Sequence, residues 1–579
     1  MCSKRLIHGG WILCLCLCVA NGWCATPIFQ LLNTYSSGGV SASSVAIADV
    51  NGDGKPDIIV TDSCASGDTC SDGGLVGVLI GNGDGTFQPV RTYKSGGLYA
   101  YFVSANDVNG DGKPDLIVAH RSMGPGEEGG VGILFGNGDG TFQPAVSYVS
   151  GGSPSTAVAV ADINHDGIPD IAIANWQDSD WYYWGSISVL LGTGGGAFQA
   201  AQTYPSGGVW ANSVVAADVN GDGAADLLAG NEGFVGVLLG NGDGTFQHAT
   251  EYDSGGTEAN WLAVADVNGD GKLDVVTANQ FAWSPNYGPA SIGVLLGNGD
   301  GSFQSVTKYR TLSAGAASLA VADLNRDHRL DILVTDKHLE VFWGLGDGTF
   351  HRAAATKLAG GTITVADMDG DTRPDVIQGI DDHVNVLRNV IPFVTTTTVA
   401  SNLNPSVYGE AVTLTAEIGS DGPFVPSGQV AFLADGKSLG KEPVKDGTAK
   451  LTKANLPSGE LQITAEYHGD SENASSVSAP FVQIVQKAST TTTLTSSRNP
   501  SAQGQAVTFT AKVTSPTVKV TGSVTFTAGN VPLGTATLKS GKASVTTSAL
   551  PKGNTEIVVT YEGTGNISGS ADSLVQVVN

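Results

Sequence analysis

The chain has 579 residues, 79 of them Gly, with 15% charged and 41% hydrophobic residues and a net charge of −26. That length exceeds what one core serves, and the apolar content separates the chain from disordered sequences. No long apolar stretch repeats with a 3.6-residue period. Short runs of Val, Ile, Leu and Thr bounded by Gly, Asn and Asp predict an all-β protein. The acidity excludes nucleic acid as a natural partner, because phosphate binding needs a basic face. It is also uneven: from Ile391 onward 12 Lys and Arg face 13 Asp and Glu, so the first 390 residues carry −25.

The first 25 residues read as a secretory signal. Lys4 and Arg5 supply a basic start, Trp11 to Ala20 a short apolar core, and Ala20-Asn21-Gly22 or the stretch to Ala25 the small residues for cleavage. This run is too short to span a bilayer, and no other segment approaches ~20 apolar residues. Trp23 before Cys24 fits a lipoprotein signal poorly. Five of the seven Cys lie in or beside this segment; Cys64 and Cys70 remain, close together in one loop, and an exported chain favours their pairing as a local disulfide.

From residue 26 to 390 one acidic pattern, D-x-[ND]-x-D-x-x-x-D, recurs seven times, starting at Asp49, Asp107, Asp162, Asp218, Asp266, Asp323 and Asp367. An apolar strand precedes each copy (Val45-Ala46-Ile47-Ala48) and a second follows (Leu116-Ile117-Val118). After a variable loop comes a third, such as Val76-Gly77-Val78-Leu79, then a Gly-Asn-Gly-Asp-Gly turn in four copies, whose Asn-Gly and Asp-Gly tolerate positive φ. A fourth strand is expected to open at Phe87, Phe142, Phe198, Phe246, Phe303 and Phe350. Four strands per ~50 residues is one propeller blade, so seven acidic loops predict seven blades. The last repeat ends after Val384-Asn385-Val386-Leu387, whereas Phe29-Gln30 near the N-terminus begins a segment matching a fourth strand. The N-terminal strand is therefore expected to complete blade seven and to remove the exposed edge.

The acidic loops have calcium chemistry, since Ca²⁺ takes six to eight oxygens from a tightly wrapped chain. Positions 1, 3, 5 and 9 offer side-chain oxygens: Asp49, Asn51, Asp53 and Asp57, then Asp107, Asn109, Asp111 and Asp115, then Asp162, Asn164, Asp166 and Asp170. The fourth and fifth loops offer Asp218, Asn220, Asp222 and Asp226, then Asp266, Asn268, Asp270 and Asp274. The last two offer Asp323, Asn325, Asp327 and Asp331, then Asp367, Asp369, Asp371 and Asp375. Position 7 would offer a backbone carbonyl, so its side chain (Lys55, Lys113, Ile168, Ala224, Lys272, Arg329, Arg373) is expected to matter little. Gly at position 6 allows the sharp turn; His328 and Thr372 replace it in loops six and seven. One such loop could be a metal-free Asx turn. Seven copies of converging carboxylates call for cations, up to seven structural Ca²⁺.

Strand, acidic loop, strand, Gly-rich turn and Phe recurring together resemble the FG-GAP/VCBS repeats, known best from integrin α-subunit propellers. The resemblance covers roughly Thr26 to Asn389 and implies a propeller with calcium in the hairpin joining the first two strands of a blade. A second repeat of ~95 residues follows: Thr395–Thr398 recurs at Thr490–Thr493, Asn404-Pro405 at Asn499-Pro500, and Tyr467 matches Tyr561. These segments, 391–487 and 488–579, resemble bacterial Ig-like domains. The expected architecture is a seven-bladed β-propeller followed by two Ig-like β-sandwich domains.

Blade connectivity puts the acidic loops on one face and the variable 2–3 and 4–1 loops on the other. Six Trp fall in or beside those variable loops in blades three to five: Trp176, Trp181, Trp184, Trp210, Trp261 and Trp283, with Tyr182, Tyr183 and Tyr287 nearby. They read either as packing between blades or as a ligand surface, since aromatics among polar groups suit sugars and protein loops. The resemblance to integrin propellers implies use of this same face. H-E-x-x-H, G-x-S-x-G and P-loop motifs are absent, so no enzyme is expected. The expected role is a secreted, monomeric adhesion or ligand-binding module for an extracellular protein or glycan. A carbohydrate-active enzyme and a purely structural surface protein are the alternatives.

Overall fold

A computed structural model describes all residues except 1–16, 19–23, 26–27, 66–69, 71, 125–127, 178–183, 281–289, 313–314, 357 and 359. The chain forms two compact units, Met1–Ile391 and Pro392–Asn579. Among the described residues every regular element is a strand, and no helix is long and apolar enough to cross a membrane.

The first unit is a ring of seven four-stranded antiparallel sheets. In blade one the strands are Val40–Ala48, Asp57–Cys64, Leu75–Leu79 and Arg91–Lys94, in that spatial order. The second and third strands are buried along nearly their whole length, consistent with sheets covered on both faces by neighbouring blades. First strands touch their neighbours all round the ring, Thr362–Ala366 of blade seven meeting Val40–Ala48 of blade one. Small residues such as Ala46, Ala48 and Ala105 let these innermost strands approach.

The last blade is closed by the N-terminal strand. Phe29–Ser36 pairs with His383–Asn389, Phe29 opposite Asn389 and Ser36 opposite His383, with one register shift between Leu31 and Asn33. The recurrent Phe acts at the joints. Phe87, Phe142, Phe198, Phe246 and Phe303 each meet edge-to-face a Tyr from the fourth strand of the preceding blade, as in Tyr35–Phe87 at 5.5 Å between centroids. In none of these five blades does the Phe open the fourth strand, which only Phe350 of blade six does. In the five it pairs back to the first Gly of the turn, as Gly81 to Phe87 and Gly192 to Phe198, and the strand proper starts later, at Arg91 in blade one.

The second unit holds two sandwiches. The first sets the sheet of Thr395–Ser401, Val412–Ser420 and Thr448–Lys453 over a core of Leu414, Val430, Phe432, Ile463 and Tyr467. The second repeats it with Phe509, Val524, Phe526, Ile557 and Tyr561. The matching tyrosines end differently: Tyr561 donates to the Thr521 carbonyl at 2.8 Å, Tyr467 to the Asp470 carboxylate at 3.1 Å.

Candidate metal loops and ligand face

Each acidic loop folds around its first Asp. In loop one, Asp49 Oδ1 accepts from the amides of Gly52 and Asp53, and Oδ2 from Gly54. Asn51 Oδ1 accepts from the Asp53 amide and Asp53 Oδ1 from the Lys55 amide. This wrapping needs left-handed backbone at positions 4 and 6. Gly52 and Gly54 sit at φ 74° and 79°; where Gly is missing the conformation persists, with His165, Arg326, His328 and Thr372 at 59°, 63°, 64° and 71°. Non-Gly residues hold that region only where their surroundings over-determine it.

The ninth residue has a role beyond the loop. Asp57 is fully buried; its Oδ2 accepts from the Val50 amide at 2.9 Å and its Oδ1 from Gly81, the start of the Gly-rich turn, at 2.7 Å. Asp115, Asp170, Asp226, Asp274 and Asp331 repeat the brace to Gly136, Gly192, Gly240, Gly297 and Gly344. Burial pushes these carboxyls up against the opposing backbone donors, Asp331 to about 6 and Asp375 to about 7.

The donor set of these loops, Asp and Asn oxygens plus the position-7 carbonyl, is the hard-oxygen set that suits Ca²⁺. In loop one each oxygen of the braced Asp57 accepts one amide and keeps a second lone pair, so the brace does not preclude ligation. Among the described residues, however, only Asp367, Asp369 and Asp375 of loop seven bring three carboxylates within 4.8 Å of one another. Loop seven also departs at positions 5 and 7. The fifth acid is exposed in the other six loops but Asp371 is 4% exposed, and Arg373 turns inward to 1%. Arg373 donates through Nε and Nη2 to Asp371 Oδ2; Arg388 reaches the same oxygen at 2.9 Å and Asp369 at 2.8 Å. Burial alone would raise the Asp371 carboxyl, but the hydrogen bonds from Arg373 and Arg388 outweigh it and hold it below its usual range. The expectation that the position-7 side chain is immaterial therefore fails in this loop.

At the opposite end of the blades, Trp176 follows the second strand of blade three, Trp184 opens its third, and Trp210 lies in the connection to blade four. Trp176 and Trp184 are 38% and 52% exposed, and Phe234 of blade four 42%. Trp176 lies 6.4 Å from Trp210 between centroids and donates Nε1–H to Asn212 Oδ1 at 2.6 Å. Trp184 pairs with Val209, the residue before Trp210, and the Val209 carbonyl accepts from the amide of Glu232, two residues before Phe234. Trp261 does not join them. It stands on the innermost strand of blade five, 5.6 Å from Phe102 on the innermost strand of blade two, and fills the middle of the ring. Trp181, Tyr182, Tyr183, Trp283 and Tyr287 lie outside the described residues.

Beneath this face runs a buried polar belt that the sequence reading missed. Ser37 donates to Asp62 at 2.7 Å, Ser95 shares a hydrogen bond with His120 at 2.9 Å, and Ser206 donates to Asn231 at 2.7 Å, all fully buried. In blade three the contact runs from Ser150 through Ser155 to Asn175, and in blade five Asn279 donates to the Ser254 carbonyl. The signal was present as Ser-Gly-Gly, beginning at Ser37, Ser95, Ser150, Ser206 and Ser254. The second Gly lies flat on the buried partner: a Cβ on Gly39, Gly97, Gly152, Gly208 or Gly256 would come within 2.7 Å of Asp62, His120, Asn175, Asn231 or Asn279. Burial pushes Asp62 up to about 6 and His120 down to about 3. Cys64, two residues beyond Asp62, forms a disulfide with Cys70, Cα to Cα 4.6 Å.

Comparison with known proteins agrees with this architecture. The FG-GAP-like repeat family matches residues 49–118, 107–173, 175–229, 218–277, 281–334 and 333–377. The bacterial Ig-like domain (group 3) family matches 397–486 and 494–579. The chain is 28% identical over 173 residues to integrin alpha pat-2 of Caenorhabditis elegans, covering 26% of this chain and 14% of that protein. It is 30% identical over 182 residues to phosphatidylinositol-glycan-specific phospholipase D of Bos taurus, covering 25% and 21%. These alignments thus span about a fifth or less of each relative's length. A solved Agrocybe aegerita protein that recognises non-reducing terminal N-acetylglucosamine aligns at 19% identity and a TM-score of 0.31, over 71% of this chain and 86% of that one. With FG-GAP-like repeats over more than half of its length, the chain belongs to the FG-GAP-like repeat family and carries Ig-like domains after the propeller.

Proposed function

We propose that the protein is an extracellular binding module. Its propeller takes a protein or glycan ligand on the face of the 2–3 and 4–1 loops and is stabilised by calcium on the opposite face. The observation that carries the reading is the presence in blades three and four of the exposed rings of Trp176, Trp184 and Phe234, with half-buried Trp210 against Trp176, above a buried polar belt. Such rings offer large contact area at little conformational cost. Calcium would be held by the residues at positions 1, 3, 5 and 9 and by the position-7 carbonyl, and there it would neutralise charge and stabilise the fold. The acids concentrate in these braced turns, which favours binding over catalysis.

The test is a glycan array and an extracellular-protein pull-down with the wild type, Trp176→Ala and Trp184→Ala. The expected outcome is a specific ligand whose binding falls at least tenfold in either variant. A ligand bound equally by all three moves the site off this face.

A further inference from the structure

Six of the acidic loops share one arrangement and the seventh has another, and the cause lies in how the ring closes. In blades one, two, five and six the long position-7 side chain lies over a Gly of the Gly-rich turn in the same blade: Lys55 over Gly83, Lys113 over Gly138, Lys272 over Gly299 and Arg329 over Gly346. Blade seven has no such turn, because its fourth strand comes from the N-terminus and its third strand ends at Asn389. The departing chain occupies that place, and Arg373 folds inward to meet it. Its Nη1 donates to the Ile391 carbonyl at 3.2 Å while Nε and Nη2 hold Asp371. Asp375 braces the same segment, accepting from the Asn389 amide at 2.8 Å, and Asn389 Nδ2 donates to the carbonyls of Leu324 and Pro374.

Arg388 comes from the third strand and spans Asp369 and Asp371. Two guanidinium groups therefore sit among four carboxylates. This is the loop in which three carboxylates converge within 4.8 Å. Like charges gather where fixed cations already lie among them, and guanidinium matches carboxylates with a planar fork that a hydrated ammonium lacks. In the other six loops the fifth acid is exposed, and the position-7 cations that four of them carry lie over the turn; Lys113 also reaches its fifth acid, Asp111, but at 3.8 Å and with both side chains about 40% exposed, unlike the buried pair of Arg373 and Asp371.

We propose that loop seven is fastened by Arg373 and Arg388 and keeps its closed form without a divalent cation, so that ring closure and chain exit are independent of the calcium that serves the other six loops. The second half of this statement rests on the calcium reading given above; the first half does not.

Hydrogen–deuterium exchange on the full chain separates the two. The amides to follow are those that donate to the first Asp: Gly52 and Gly54 in loop one and their equivalents in loops two to six, against Gly370 and Thr372 in loop seven. On transfer from calcium to EGTA, loops one to six are expected to exchange at least tenfold faster and loop seven less than twofold faster. Arg373→Met, and the milder Arg388→Met at a partly exposed site, are expected to raise loop-seven exchange at least tenfold in EGTA while leaving the other loops as in the wild type. Loop seven opening in step with the others in wild-type protein overturns the proposal, as does unchanged loop-seven exchange in both variants. If loops one to six ignore EGTA while the variants still loosen loop seven, the arginine clamp stands and the calcium reading falls.

Discussion

At the acidic end of the blades the same hydrogen bonds recur from loop to loop, down to which oxygen of the first Asp takes which amide. At the opposite end, loop length and chemistry change from blade to blade, and among the described residues the large exposed aromatics gather in blades three and four. Repetition marks the end whose task is the same in every blade, which is to turn the chain and tie each hairpin to its neighbour. Variation marks the end that has been free to acquire a specific surface. The buried belt of Ser and its partners lies between these regimes: a repeated placement with a changeable partner, Asp62, His120, Asn175, Asn231 or Asn279, and a contact that varies with it.

Substitutions can break this contrast or sharpen it. The largest loss is expected from Asp226→Ala, which leaves the buried Val219 and Gly240 amides without an acceptor. At about 1–3 kcal/mol for each unsatisfied group, denaturant unfolding of the propeller should show a loss of roughly 2–5 kcal/mol. A variant as stable as wild type would mean that the brace is dispensable.

In the belt, Asp62→Asn copies the residue found in blades three to five. Asp62 has a folded-state pKa of about 6, above its ordinary 3.8. Its contribution is therefore fully present below about pH 4 and is lost as pH rises through about 6. The variant should be more stable than wild type by about 1–2 kcal/mol at pH 8, with the difference vanishing toward pH 4. A gain that does not vary with pH would place the effect outside the carboxyl's ionisation. Thr372→Gly relieves a left-handed non-Gly residue at φ 71° and should add about 1 kcal/mol, measured by thermal unfolding. Trp184→Ala should change stability by less than about 0.5 kcal/mol, since its side chain is half exposed. A larger loss would show that the ring serves packing rather than a ligand.

Much of this was legible in the chain because the signals are local. Asp49 to Asp57 lie within nine residues, Gly-Asn-Gly-Asp-Gly specifies its own turn, and the match of Tyr35-Ser36-Ser37-Gly38-Gly39 to Tyr93–Gly97 announced the borrowed strand. What escaped depends on distance. Ser37 meets Asp62 across a blade boundary, 25 residues on, and the same spacing recurs in the other pairs, but the partner changes from Asp62 to His120 to Asn, so a search by residue type passes the belt over. Trp261 belongs by sequence to a group of aromatics but by strand position to the middle of the ring, where its neighbour Phe102 lies three blades away. Arg373 reads as a carbonyl donor like Lys55, and its inward turn follows from a missing hairpin rather than from the residue itself.

The strand that closes the ring also sets an order in time. Phe29 pairs with Asn389, so the propeller's own first strand finds its partner only after six complete blades and most of the seventh exist. Until then blade seven has no fourth strand and Phe29–Ser36 has no sheet to join, and both expose unpaired edges to any other strand nearby. Closing so long a loop is slow in chain-entropy terms and comes after the local hairpins. Six of the blades can each form from neighbours in sequence, but the ring is sealed by the most distant contact in the propeller, and the propeller's first strand is the last to be placed.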